Sequence, residues 1–346
     1  MTLGNMNKVG PAAVALCGLA LAFALPNFVE VFVLVDLTAY IVMAILALSL
    51  ALVWGYAGIL CFGQSAFFGI GGYAFVLAAM NLGESTVPLL IGVALPMIFA
   101  AVLGYFLFYG RVGDIYLGVI TLCVSLIFYN LVNSMSGTEY KIGSVPIGGH
   151  NGIPGVPPIN LPGHPALQLG YQGTFQLSLI VLVFVYVGLH LLLASKFGRV
   201  VISIRHNELR TELLGYDARL YKLIVFVIGA GIAGIAGILF ANWGSFIGPT
   251  VFSILFSAQI IIWIMVGGLG TLLGAMGGAF VIQWLNTLLG TTKIADPNIV
   301  LGAIFIVFVL LVPRGVQPKL LDFIRLLARR TVDRDGEASV TNHGKM

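Results

Sequence analysis

A series of long apolar runs constrains this chain more than any other feature. Val31–Val53 is one of them, interrupted by a single ionisable side chain, Asp36. Runs of about 15–25 residues recur as far as Val312, close to what an α-helix needs to cross a hydrocarbon layer. In that layer each backbone N–H and C=O must be satisfied within the protein, so spans are helices or closed barrels. The runs do not alternate with the period of two that marks barrel strands, so helices are expected. Only 9% of residues are charged, against about 25% in soluble domains. Most of the surface must therefore meet lipid or other apolar helices. The expected fold is all-α, a polytopic transmembrane helical bundle of about ten spans in one domain.

The spans are read at Pro11–Leu25, Val31–Val53, Gly55–Met80, Val87–Tyr109, Ile115–Ser134, Thr174–Ala194, Leu223–Trp243, Phe252–Val266, the run after a turn at Gly267–Gly270, and Ile299–Val312. The first has two readings. It is a short retained span, the reading preferred, or a signal peptide, given Ala22-Phe23-Ala24. Asp36 is read as a side chain reaching headgroup water, with a role inside the membrane as the alternative. Met135–Gln172 is the longest polar interval between spans. Its Gly and Pro density disfavours regular structure.

Ser195–Lys222 is a charged island with six basic and three acidic side chains, in a chain of 17 Lys+Arg and 13 Asp+Glu. Such a stretch lies in water or at headgroups, and its positive excess places it on the cytoplasmic side. The tail from Pro313, with seven basic and four acidic residues, follows after four crossings and lies on the same side. Counting back puts both termini inside and 135–172 outside. Within the island, Asn207–Leu214 has the pattern of a short amphipathic helix, with Leu209, Leu213 and Leu214 along one side and a stop at Gly215. It reads as a docking helix for another protein or as a solvated loop that fixes topology.

Gly55–Met80 carries Gly55, Gly58, Gly63, Gly69, Gly71 and Gly72, with Gln64 and Ser65 in an apolar setting. Two readings stand: tight helix packing, or an interrupted helix lining a pathway. Gly229, Ala233 and Gly237, and then Gly270, Gly274 and Gly278, repeat the small-residue spacing. Glycine-rich blocks at 55–80 and 267–290 hint at an internal pseudo-repeat.

Several chemistries are missing. No GxxxxGK[ST] phosphate-binding loop, HExxH motif or paired intramembrane carboxylates occur. His190 alone of five histidines lies in a span and reads as a packed residue. Cys17, Cys61 and Cys123 show no CxxC spacing. The net charge of +4 is explained by span ends, not nucleic acid. No cofactor is expected. The chain reads as a conduit without a motor, with a stand-alone channel or carrier and a membrane enzyme as rival classes.

GYAGILCFGQSAFFGIGGYA at 55–74, GGHNGIPG at 148–155, the island with its following span at 198–241, and VGGLGTLLGAMGGAF at 266–280 together resemble one known family. These are the permease subunits of branched-chain amino acid ABC importers, with the M-type subunit most alike and urea and short-amide permeases in the wider family. The resemblance runs from Val31 to Arg314. It implies a permease domain at 31–314, after an N-terminal segment 1–30 and before a cytoplasmic tail 315–346, in a bacterial inner membrane. It implies a second related permease, two cytosolic ATPases and a periplasmic binding protein as partners. By the same resemblance Arg205, Asn207, Glu208, Leu214 and Gly215 in the coupling loop 195–222 meet an ATPase. The outer loop 135–172 faces the binding protein, and Gln64, Ser65, Phe67, Gly71 and Tyr73 lie near the pathway. ATP hydrolysis falls to the partners, so the chain itself is not an enzyme.

Overall fold

The structure is a computed structural model that describes residues 6–137, 139–161, 164–292 and 302–303. Eleven α-helices are seen among them: α1 Met6–Ala24, α2 Val31–Leu50, α3 Gln64–Leu82, α4 Thr86–Tyr109, α5 Asp114–Ser134, α6 Tyr171–Ala194, α7 Lys196–His206, α8 Glu208–Leu213, α9 Ala218–Gly244, α10 Ile254–Gly267 and α11 Leu272–Thr292. Seven of the described helices are long and apolar enough to cross a membrane: α2, α3, α4, α5, α6, α9 and α11. Two more apolar helices, 13–27 and α10, are shorter. The chain is thus a multi-pass helical membrane protein. The count of ten is not confirmed: apart from 291–292 and 302–303, the turn read at Thr291–Asn298, the span read at Ile299–Val312 and the tail 315–346 lie outside the described residues.

α2 is the central post. Every residue from Thr38 to Val53 is buried, as an all-round apolar helix must be. α6, α9 and α11 pack around it. Its last turn, Ala51–Tyr56, widens to a π-helix, and Gly58, at φ 75°, ends it. Residues 57–63 then run without helical structure to the start of α3. Gly63 passes so close to α5 that a Cβ there would lie 2.5 Å from the Thr121 carbonyl oxygen.

α3, α4 and α9 meet through bare backbone. A Cβ on Gly71 would lie 2.4 Å from Gly234 Cα and 2.8 Å from the Gly92 oxygen. Gly237 sits as close to the Phe68 carbonyl. Without a hydrophobic drive between helices in lipid, such close approach supplies the dispersion that holds them.

The run read as span eight, Phe252–Val266, forms one helix but a short one. α10 has 14 residues, about 21 Å long, short of the ~30 Å hydrocarbon core. A 3-10 turn at Pro249–Phe252 precedes it. Phe252 stacks on Tyr73 and Phe128 at 5.7 and 5.6 Å and fills the space beside Gly69. Phe252 thus pins the chain to the bundle just before α10, whose first residues, Ile254 and Leu255, are exposed. The expected turn at Gly267–Gly270 is present, with Gly268 and Gly270 at φ 117° and 85°.

The interval 135–172 contains more regular structure than its Gly and Pro content predicts. β1 (Lys141–Ile142) pairs with β2 (Val145–Pro146), and β4 (Asn160–Leu161) with β5 (His164–Gln168). β3 (Ile153–Pro154) pairs with β6 (Phe246–Ile247), which follows α9. Side chains fasten the interval to the α3–α4 corner. Asn81 Oδ1 accepts from Ser144 N at 2.9 Å, and Asn160 Oδ1 accepts from Ser85 N at 2.9 Å. This corner and the end of α9 lie on the face of the bundle opposite the island.

Candidate functional site

The island folds into two helices at a sharp corner. Ser195 caps α7 by accepting from Gly198 N at 3.3 Å. One face of α7, with Val200, Val201 and Ile204, is buried against the start of α9 and the bundle. The sequence reading had no helix here. Asn207 has extended backbone and caps α8, its Oδ1 accepting from Arg210 N at 2.9 Å. α8 spans Glu208–Leu213, inside the expected 207–214, and Gly215 takes φ 89° just after it.

Two contacts fix α8. Ser203 and Thr211 share a hydroxyl hydrogen bond of 2.8 Å. Lys222 Nζ lies 2.6 Å from Glu208 Oε2, tying α8 to α9. Its outer side is left bare: Leu209, Leu213 and Leu214 are 73%, 88% and 69% exposed. Single exposed leucines are ordinary, but three on one short polar corner form an apolar knob. Beside it a groove of about 310 Å³ runs between α8 and the α4–α5 turn, lined by Arg111, Asp114, Glu208, Glu212 and Arg219 among others.

The five residues read as near the pathway are all buried, and they divide into two sets. Gln64 and Ser65 join a hydroxyl-rich seam. Gln64 Nε2 donates to Ser49 Oγ at 3.0 Å, and Cys61 Sγ lies 3.6 Å from Gln64 Oε1. Ser65 Oγ lies 3.0 Å from Ser125 Oγ and 2.6 Å from Ser257 Oγ. Phe62 N donates to Thr121 Oγ1 at 3.1 Å. The seam thus joins α2, the 57–63 break, α3, α5 and the first turn of α10. Phe67, Gly71 and Tyr73 belong instead to packing. Phe67 meets Phe226 edge-on at 5.2 Å, Gly71 makes the α3–α4–α9 crossing, and Tyr73 stacks on Phe252. The Tyr73 hydroxyl is buried without a hydrogen-bond partner.

Ser49, Thr121, Ser125 and Ser257 escaped the sequence reading, since a lone hydroxyl in an apolar run can bond its own helix. Asp36 is half-buried in the second turn of α2, at the end away from the island. Among the described residues, no three His, Cys, Asp or Glu side chains cluster as a metal site would require.

A family model described as branched-chain amino acid transport system / permease component matches residues 33–312. The chain belongs to this family. The high-affinity branched-chain amino acid transport system permease protein LivM of Escherichia coli is 28% identical over 87% of this chain and 73% of its own length. LivM of Salmonella typhimurium is 28% identical over 81% of this chain and 69% of its own. The inner membrane ABC transporter permease protein YjfF of Escherichia coli is 25% identical over 39% of this chain and 43% of its own. No solved structure matches the chain at the same level of significance. Membership makes it a transport permease subunit, not an enzyme.

Proposed function

We propose that this chain is one of two related permeases in an ATP-driven importer of the bacterial inner membrane, carrying branched-chain or related amino acids. A periplasmic binding protein delivers the substrate to the face bearing 135–172. One of two cytosolic ATPases docks on the island, and both termini lie on that side. The knob of Leu209, Leu213 and Leu214 on a water-facing corner carries the docking assignment, because bare leucines beside a charged groove suit a partner surface and not headgroups.

In this reading ATP binding closes the ATPases and displaces α8. Asn207 caps α8, Thr211 and Glu208 keep it attached to α7 and α9, and Gly215 lets the chain turn back towards the bundle. The displacement opens the bundle by parting the hydroxyl seam at Gln64 and Ser65, with Phe67, Gly71 and Tyr73 forming the rigid wall behind it. A neutral pathway of hydroxyl and apolar groups leaves selectivity to the binding protein. The two glycine-rich blocks, each a helix, a break and a helix, act as pseudo-repeats around it.

Substituting Leu213 by Ser tests the docking. Burial of one leucine is worth about 1.5–3 kcal/mol, so ATPase affinity should fall by roughly tenfold or more and uptake with it. ATPases that co-purify undiminished with the variant would refute the assignment.

A further inference from the structure

Arg205 differs from the other basic residues of the island in where its head group goes. Its guanidinium donates to the Gly55 carbonyl oxygen, in the π-helical last turn of α2. Carbonyls in a last helical turn lack intrahelical donors, and the helix dipole draws a cation to that end. The stem of Arg205 lies on Gly58, where a Cβ would stand 2.9 Å from Arg205 Cγ. A Cβ on Gly270, in the α10–α11 turn, would lie 3.2 Å from Arg205 Nη1. Gly55 in turn meets Gly270, with 3.1 Å between a Cβ on Gly55 and Gly270 N. Three bare backbone positions from two separate helix breaks thus form a notch that one arginine fills.

The same arginine lies in the last turn of α7, the helix that holds α8. Ile204, beside it, is buried, Ser203 is bonded to Thr211, and Asn207 caps α8. On the other side of the notch, the 57–63 break leads directly to Cys61, Gln64 and Ser65. We propose that Arg205 is a positioning residue that latches the α7–α8 corner to both helix breaks, so that displacement of α8 moves Gly55 and Gly270 together and reaches the hydroxyl seam. The residue as a whole is exposed, but its guanidinium acts inward, through the bundle. This inference rests on the reading of α8 as the ATPase-docking helix.

The test uses the full transporter, this chain with its partner permease, ATPases and binding protein, reconstituted in vesicles with leucine as probe. The readout is leucine taken up per ATP hydrolysed, with the amount of ATPase retained on purification beside it. Arg205→Ala should keep the ATPases bound and lower the ratio by about tenfold or more, the scale of losing a hydrogen bond to a charged group. Arg205→Lys, which keeps the charge but not the planar fork, should recover part of the ratio. Should Arg205→Ala not accumulate in the membrane, Arg205→Gln is read by the same ratio. An unchanged ratio, or ATPase lost in proportion to uptake, overturns the latch. Leu213→Ser in the same assay separates the two readings: ATPase retained on that variant removes the docking helix itself, whatever Arg205 does.

Discussion

Removing the Ser65 hydroxyl tests whether the buried seam is an energetic unit. Ser65 is its middle member, bonded to Ser125 on α5 and to Ser257 on α10. Hydrogen bonds between membrane helices average about 0.6 kcal/mol and reach about 1.7 kcal/mol. Ser65→Ala breaks two of them with almost no change of shape, so it should cost about 1–3 kcal/mol. Ser125→Ala and Ser257→Ala break one each and should cost about half as much. The Ser65→Ala, Ser257→Ala double variant should cost less than the sum of the singles, by about one such bond. Unfolding of the purified chain in mixed micelles measures all four. A Ser65 variant no less stable than the flanking ones, or costs that simply add, would refute the shared network. If the seam parts during transport, the Ser65 variant should also leak substrate without ATP, because the closed state has lost its fastening.

Two further outcomes follow from the geometry. Gly71→Leu should destabilise the fold by about 1–3 kcal/mol or more, the range for overpacking, because its Cβ would already lie 2.4 Å from Gly234 Cα; a variant as stable as the parent in the same unfolding assay would show that α3, α4 and α9 do not cross there. With Cys17, Cys61 and Cys123 replaced by Ala, Leu213→Cys should react with a membrane-impermeant thiol reagent only in inverted vesicles; labelling in intact cells would reverse the assigned orientation.

Much of this architecture is written in the local chemistry of the chain. Uninterrupted apolar runs predict α2, α4, α5, α6 and α9 because a helix is the one structure that closes its own hydrogen bonds in lipid. Asn207, the acidic Glu208 and the later Gly215 announce α8 because a cap, a dipole partner and a left-handed stop are local devices. α7 was missed: Gly198 and the charges around it mask an apolar stripe of Val200, Val201 and Ile204 that only the bundle reveals. α10 falls short of a full crossing, and Phe252 before it sits in an aromatic slot beside Gly69, a contact set by residues far apart in sequence. The strands of 135–172 likewise depend on Asn81, Ser85 and β6, which lie outside the interval. At the candidate site the split is the same. Gln64 and Ser65 stand out as polar groups in an apolar run, but their partners Ser49, Ser125 and Ser257 become visible only when four helices meet. Arg205 looks like one more surface charge until Gly55, Gly58 and Gly270 are brought around it.

The most direct measurement is uptake of radiolabelled leucine into proteoliposomes holding this chain, first alone and then with its partner permease, ATPases, binding protein and ATP. A permease without its own motor should give no uptake alone and concentrative, ATP-dependent uptake in the full set. Leucine flux through the chain by itself, unchanged when ATPases and ATP are added, would contradict the account.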